Sequence, residues 1–391
     1  MPQHSTHRHL AERPPPARSP AAPLGVGLIG YGYAGATIHA PLITTTPGLQ
    51  LRAVASRQVD RVQRELGPAV QVLGDAQALI DAPGVHIVVI ASPNATHAPL
   101  ATLALRAGRH VVIDKPMALD AQEATPLLAL AAQRGLQLSV FHNRRWDGDF
   151  LTARALLAEA SQGPLGRLTS AQLHFDRFRP QVRERWREGD GPGAGLYADL
   201  APHLLDQALQ LFGAPLTLQA DIASLRDGAL SDDHFTLWLR QRDGARITLS
   251  ASMLAALPGP RFALHGTLGS WVKQGLDPQE DALKAGLRPD PARPQDWGAD
   301  PQAGVLCALA PAPDQPQGGP AGGASSAEPV ARPWPNLRGQ WPAFYAGMRD
   351  AVLGHAPNPA PATQALAVLQ LMDLGRRSAQ SGIALEVPDL G

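Results

Sequence analysis

The sequence predicts an α/β chain of two domains. A parallel sheet with helices on both faces comes first, and an α+β domain with a mostly antiparallel sheet follows it. Three observations predict this. An apolar run, Leu24–Ile29, leads directly into glycines at 30, 32 and 35, spaced G-x-G-x-x-G. Strand and helix patterns then alternate from Leu24 to Phe141. Beyond His142, strands succeed one another without intervening helices.

The glycine spacing reads as strand, tight turn and helix start. Gly30 permits the turn, Gly32 lets the backbone approach a pyrophosphate, and Gly35 lets the helix pack close to the strand. The free N–H groups at that helix start suit phosphate, so Tyr33 and Ala34 join the cofactor-binding candidates. A Rossmann dinucleotide-binding domain is therefore expected over residues 23–141. Its strand candidates are Leu24–Gly30, Leu51–Ala55, Ile87–Ala91, His110–Ile113 and Leu136–Phe141, with helices at Val59–Leu66, Ala98–Ala107 and Ala121–Gln133.

A substrate and oligomerisation domain is expected over 142–391. It should open with a helix near 150–160 and a strand over Leu168–Asp176. A helix ending at Phe212 should start near Asp199, because Pro202 is tolerated only in a first turn. Strands near 216–225, 234–240, 245–254 and 261–265 follow, and helices are expected at Trp341–Leu353 and Ala362–Ala379. Residues 289–335, rich in Pro, Gly, Ala and Ser, read as a low-complexity, mobile excursion, and residues 1–22 as a disordered tail.

Bulk properties narrow the function. The 391 residues exceed one ordinary core. The 34 basic and 34 acidic side chains cancel, which argues against nucleic acid or a membrane surface as partner. A single cysteine, Cys307, excludes an internal disulfide and fits a reducing compartment. No apolar run reaches the ~18 residues of a membrane span. The tail lacks the apolar core of a signal peptide, and its histidines at 4, 7 and 9 read as solvated rather than as a metal site. A soluble, cytoplasmic protein without a metal is expected.

Four constellations carry the chemistry. About 21 residues past Gly35, where an acidic residue would read a ribose, stand Ser56 and Arg57. A hydroxyl and a guanidinium suit a 2′-phosphate, so NADP (NADPH) is expected over NAD, although Ser56 would serve equally as a helix cap. Ser92, Pro93, Asn94 and His97 follow the third strand candidate and read either as crevice residues or as an ordinary turn. Asp114-Lys115-Pro116 follows the fourth, placing an ammonium where it can stabilise a developing alkoxide. Asp199, His203 and Asp206 fall within an arc of about 60° on one helix, so an imidazole for proton transfer lies between two carboxylates. The alternative is that Asp199 caps the helix and His203 packs in a core. Asn143, Arg144 and Arg145 at the domain junction suit substrate binding or ion pairing with Asp147 and Asp149. Asp176, Arg177, Arg179 and Arg183 suit several hydroxyls or an anion, whereas beyond Arg179 an exposed, charge-paired helix reads as well.

In this order and at these separations, GYGYAG, SPNATH, DKP and DLAPHLLD resemble the glucose–fructose oxidoreductase/inositol dehydrogenase (Gfo/Idh/MocA) family. The resemblance runs from about residue 23 to the C-terminus and weakens across 289–335. It implies a catalytic group of Lys115, Asp199 and His203. It also implies substrate contact at Asp206, with Asn143, Arg145 and Asp176 as further candidates. Asp114 stands where many members carry Glu. Segments such as SVFHNRRWDGDF look most like the NADP-dependent scyllo-inositol 2-dehydrogenase branch. The expectation is an NADP(H)-dependent oxidoreductase acting on a polyol, with an uncovered sheet face favouring a homodimer or homotetramer. Two alternatives stay open: a reductase of another sugar on the same fold, and a non-catalytic NADP-sensing protein.

Overall fold

The computed structural model describes residues 22–159, 162–309 and 328–390. Its first sheet has six parallel strands in the order β3-β2-β1-β4-β5-β6: β1 (Leu24–Ile29), β2 (Leu49–Ala55), β3 (Gln71–Leu73), β4 (Ile87–Ile90), β5 (His110–Asp114) and β6 (Leu138–Phe141). β4 and β6 are buried at every position, as strands covered on both faces must be. The strand order reverses beside β1, so β1 and β4 flank the switch point where a crevice opens at their carboxyl ends. β3 and the helix Ala76–Asp81 are too short to leave a periodic signal in the sequence.

One face of this sheet is covered by the helices His97–Arg106 and Ala121–Arg134. The other is covered partly by chain from far downstream: Trp341, Phe344, Tyr345 and Met348 pack with Val26, Leu28 and Val89. Ser139 also pairs with Pro361.

The second sheet has nine strands: β7 (Leu168–His174), β8 (Thr217–Ala223), β9 (His234–Arg240), β10 (Arg246–Ser252), β11 (Phe262–Gly266), β12 (Gly269–Lys273), β13 (Gly304–Ala308), β14 (Val330–Trp334) and β15 (Leu385–Glu386). Their order is β14-β13-β12-β11-β7-β10-β9-β8-β15, antiparallel throughout except for β7 against β10. The helices Leu196–Phe212 and Ala362–Ser381 cover one face, and a single apolar core runs from the first sheet through these helices to the second.

Three expectations change. The segment 289–335 is not simply an excursion: β13 and β14 lie within it and pair as a hairpin, because backbone hydrogen bonds to β12 impose strand structure on a sequence of weak preference. Residues 310–327 and the tail to residue 21 lie outside the described residues. The helix expected near Asp199 starts at Leu196, after Gly195 at φ +98°, and it carries Pro202 in its interior. Finally, the stretch after Arg179 is mostly loop, with one 3₁₀ turn at Trp186–Glu188, and not a charge-paired helix.

Candidate active site

The glycine turn fits a dinucleotide. Gly30 has φ +95°, and a Cβ there would strike the Ala91 carbonyl across β1 and β4. A Cβ on Gly35 would run into the carbonyl of Gly30, so only glycine lets the helix start this close to the strand. Gly32 has nothing within 4 Å of its would-be Cβ, leaving its backbone bare for a phosphate. The helix that follows spans 33–44, and Gly35–His39 within it is a π segment.

Beside this turn is a cleft of about 420 Å³ lined by Gly30, Ser56, Arg57 and Ser92 among others. Ser56 Oγ accepts from Gln58 N (3.0 Å), which ties down the turn, and Arg57 is exposed. These residues would hold the adenosine half of a dinucleotide. Pro93, Asn94 and His97 line neither this cleft nor the main cavity. Instead, Asn94 Nδ2 donates to Gly193 O (3.2 Å), joining the two sheets. His97 is buried with its ring nitrogens against the carbonyls of Pro116 (2.7 Å) and Ser92 (2.9 Å). It clamps the turn after β5 to the turn after β4, a structural duty in place of the expected cofactor contact.

A second cavity of about 420 Å³ opens between the sheets. The carboxyl ends of β5 and β6 bring Asp114, Lys115 and Asn143 to it, the turn after β1 brings Tyr33 and Ala34, and the helix Leu196–Phe212 brings Asp199 and His203. Lys115 Nζ donates to Asp199 Oδ1 (2.8 Å) and to the Asp199 carbonyl (2.6 Å). The backbone N–H of Lys115 donates to Asp114 Oδ1 (2.8 Å), and His39 Nε2 faces Asp114 Oδ2 at 3.8 Å. His39 in turn meets the Tyr345 hydroxyl (2.6 Å). Nothing in the sequence pattern flagged His39 or Tyr345, since neither lies in a glycine, lysine or helix motif.

Electrostatics set the protonation states. Burial works to raise the Asp199 carboxyl, but Lys115, Arg177 and Arg187 outweigh it and hold the group well below the usual carboxylate range. Burial, followed by Lys115 and Arg144, drives His203 well below an ordinary imidazole, so it is neutral. His203 Nδ1 is buried without a hydrogen-bond partner among the described residues, and the ring stacks on Phe175 at 6.4 Å between centroids. Asp199 does not cap the helix and His203 is not sealed in leucine. Both edge the cavity.

The other substrate candidates divide differently. Arg145 is buried in a bidentate pair with Asp206, at 2.8 and 2.5 Å, and neither lines the cavity. Its neighbour Arg144 does, bound to Glu280 (2.6 Å) and Asp147 (3.4 Å) and lying over Phe175 and Trp341. Asp176 is also absent from the lining: its carboxylate accepts from the backbone of Ser252 (3.1 Å) and Gly259 (2.9 Å) and faces His174. Glu280, on the short helix Gln279–Lys284, accepts from the Tyr33 hydroxyl (2.6 Å) and so links the second sheet's side of the cavity to the glycine turn. Burial works against its charge, yet Arg144, Tyr33 and Lys284 pull it down to about 2. Six residues of helix between weak turn signals hid it from the sequence.

Residues 24–142 match a family model described as an oxidoreductase family with an NAD-binding Rossmann fold, and residues 150–272 match the GFO/IDH/MocA C-terminal domain. The chain is 47% identical to the uncharacterized oxidoreductase YdgJ of Escherichia coli, across 91% of its own length and 96% of the relative. The chain belongs to the Gfo/Idh/MocA oxidoreductase family. Within this family it is 32% identical to the scyllo-inositol 2-dehydrogenase (NADP(+)) IolW of Bacillus subtilis, over 91% of this chain and 93% of that one. An oxidoreductase structure from Yersinia pestis superimposes with a TM-score of 0.84 at 46% identity, covering 94% of this chain and 98% of the other. Bacillus subtilis yvaA gives 0.86 at 29% identity, covering 95% and 100%. This Gfo/Idh/MocA member is thus an oxidoreductase with a Rossmann domain, and no described helix is long and apolar enough to cross a membrane.

Proposed function

We propose that this Gfo/Idh/MocA protein is an NADP(H)-dependent oxidoreductase that interconverts a secondary alcohol on a polyhydroxylated ring with its ketone, with scyllo-inositol and scyllo-inosose as the leading pair. The observation that carries the reading is the meeting of Lys115, Asp199 and neutral His203 in one cavity at the carboxyl ends of the parallel strands. The likeness to IolW supports both the ring substrate and the cofactor.

A bound dinucleotide supplies the hydride acceptor or donor. The Gly30–Gly35 turn would hold its phosphates, and Ser56 and Arg57 would take its 2′-phosphate. His203, uncharged, accepts the hydroxyl proton in the oxidation direction. Lys115 keeps its ammonium on the carbinol oxygen and stabilises the charge that develops there. Asp199 holds that ammonium in place from both its side chain and its carbonyl. Proton-transfer machinery of this kind has no purpose in a non-catalytic sensor.

Absorbance of NADPH, followed with a panel of polyols and ketoses, tests the reading. Lys115→Ala and His203→Ala should each lower kcat by about 10²–10⁴-fold. Wild-type turnover in either variant would remove that residue from the mechanism. Because the proton acceptor must be unprotonated, kcat/KM for oxidation should fall only below pH ~6.5, the ordinary imidazole value. An acid limb above that pH would contradict the assignment of His203. For the cofactor, Arg57→Ala should weaken NADPH by at least about 10-fold more than NADH, as loss of a charge-assisted phosphate contact requires. Equal losses would leave the 2′-phosphate without a reader at this position.

A further inference from the structure

The cavity holds more positive charge than hydride chemistry needs. Eight Lys and Arg side chains line it against three carboxylates, in a chain with no net formal charge. The carboxylates are already engaged: Asp199 with Lys115, Glu280 with Arg144, and Asp114 with the Lys115 backbone. On the loop after β7, Arg179 and Arg183 form no side-chain hydrogen bond or ion pair among the described residues. Burial, and then the like charges of Arg177, Arg183 and Arg185, lower the Arg179 guanidinium, which registers the mutual repulsion of the cluster.

This cluster is built, not incidental. Buried Arg226 donates to the carbonyls of Arg179 (3.1 Å) and Gln181 (3.3 Å), and to Glu188 (3.0 Å). Glu188 accepts from the Arg183 backbone (3.0 Å) and Arg185 Nε (2.6 Å), and Asp233 holds Arg226 from behind (2.9 Å). A buried ion network thus fixes a loop whose guanidinium groups repel one another. Such a surface gains free energy when an anion joins it. The arginines stand on the wall of the second sheet, whereas the phosphate-binding turn at Gly32 belongs to the first.

We propose that the ring bound in this cavity carries an anionic substituent, a carboxylate or a phosphate, gripped by Arg179, Arg183 and Arg185 while its carbinol meets Lys115 and His203. The inference rests on the oxidoreductase reading and moves its ring substrate from the neutral scyllo-inositol pair to an anionic relative: a sugar acid, or a phosphorylated sugar or polyol. Planar guanidinium forks pair with either anion in two-point fashion.

Calorimetric titration of the NADPH-loaded protein reads binding apart from turnover, since NADPH cannot accept a hydride from these alcohols. Methyl glucoside, its 6-carboxylate and its 6-phosphate form one series, and myo-inositol with inositol 1-phosphate a second. At least one anionic ring should bind about 30-fold or more tighter than its neutral parent, as expected for charge-assisted contacts. The carboxylate and phosphate arms tell which anion is preferred. Arg183→Gln, at an exposed side chain that folding does not need, should cut this anionic-to-neutral ratio by about 10-fold, and raising salt should cut it further. Equal binding of neutral and anionic rings would overturn the inference. So would an Arg183→Gln protein that loses NADPH affinity and keeps the ratio. If no ring supports hydride transfer but the binding difference persists, the oxidoreductase reading fails instead, so the two failures are separable.

Discussion

Gly32 and Gly35 are three residues apart yet answer to different physics. A side chain at Gly32 would meet open space, and one at Gly35 would meet the Gly30 carbonyl. Gly32→Ala should therefore fold with an unchanged melting temperature while its dinucleotide affinity falls about 10-fold or more, because the methyl occupies the phosphate's approach. Gly35→Ala should lower the melting temperature itself, since backbone must move. Thermal unfolding and cofactor titration of both variants check this, and a destabilised Gly32→Ala would refute it. At the same scale, Lys115, Asp199 and His203, which the sequence motif singled out, line one cavity, and offsets of four put Asp199 and His203 on one helix face. The sequence favoured Arg145 for substrate, whereas Arg144 is the one that lines the cavity. Both sit in one 3₁₀ turn, and only the surrounding partners, Glu280 for one and Asp206 for the other, decide which side chain faces the cavity.

Among elements, the helix Leu196–Phe212 positions the site. Its first turn is anchored by Asp232, whose carboxylate accepts from the Tyr197 N–H (2.5 Å); burial pushes that carboxyl up to about 6. Pro202 lacks the N–H that an interior position normally uses, and within the same turn the Asp199 carbonyl accepts from Lys115. A second device is the loop clamp at Arg226. Arg226→Ala would leave Asp233 buried without its cation and Glu188 with Arg185 alone, which should cost about 3–5 kcal/mol. Chemical denaturation measures this, and a loss below about 1 kcal/mol would mean that water replaces the guanidinium. The long, periodic elements were legible: Val59–Leu66 and His234–Arg240 fall where the apolar pattern puts them. β3, β13 and β14 were not: β3 has three residues, and β13 and β14 carry Gly304 and Pro333, which disfavour strands and leave the pairing to neighbours' hydrogen bonds.

For the whole molecule, β7, β8 and β9 of the nine-stranded sheet alternate between a buried face and a more open one among the described residues. In β9, Phe235, Leu237 and Leu239 are buried under helices, whereas Trp238 on the opposite face is 45% exposed. We propose that this face packs against a second copy of the chain, with Trp238 within the contact. The chain should be a dimer or tetramer in solution, and Trp238→Arg should shift it toward monomer. Sedimentation velocity reads both, and a wild-type monomer would end this expectation.

Local chemistry in the sequence determined the glycine turn, the alternation of strand and helix, and the shared helix face of Asp199 and His203, because spacing along a regular element places side chains without outside help. Only the tertiary structure decided the rest. It paired Arg145 with Asp206, retired His97 and Asp176 to structural duties, brought Glu280 against Tyr33, and gathered the arginines on one wall. Those outcomes depend on which groups meet across hundreds of residues, and desolvation rewards or penalises a charge only once its neighbours are in place.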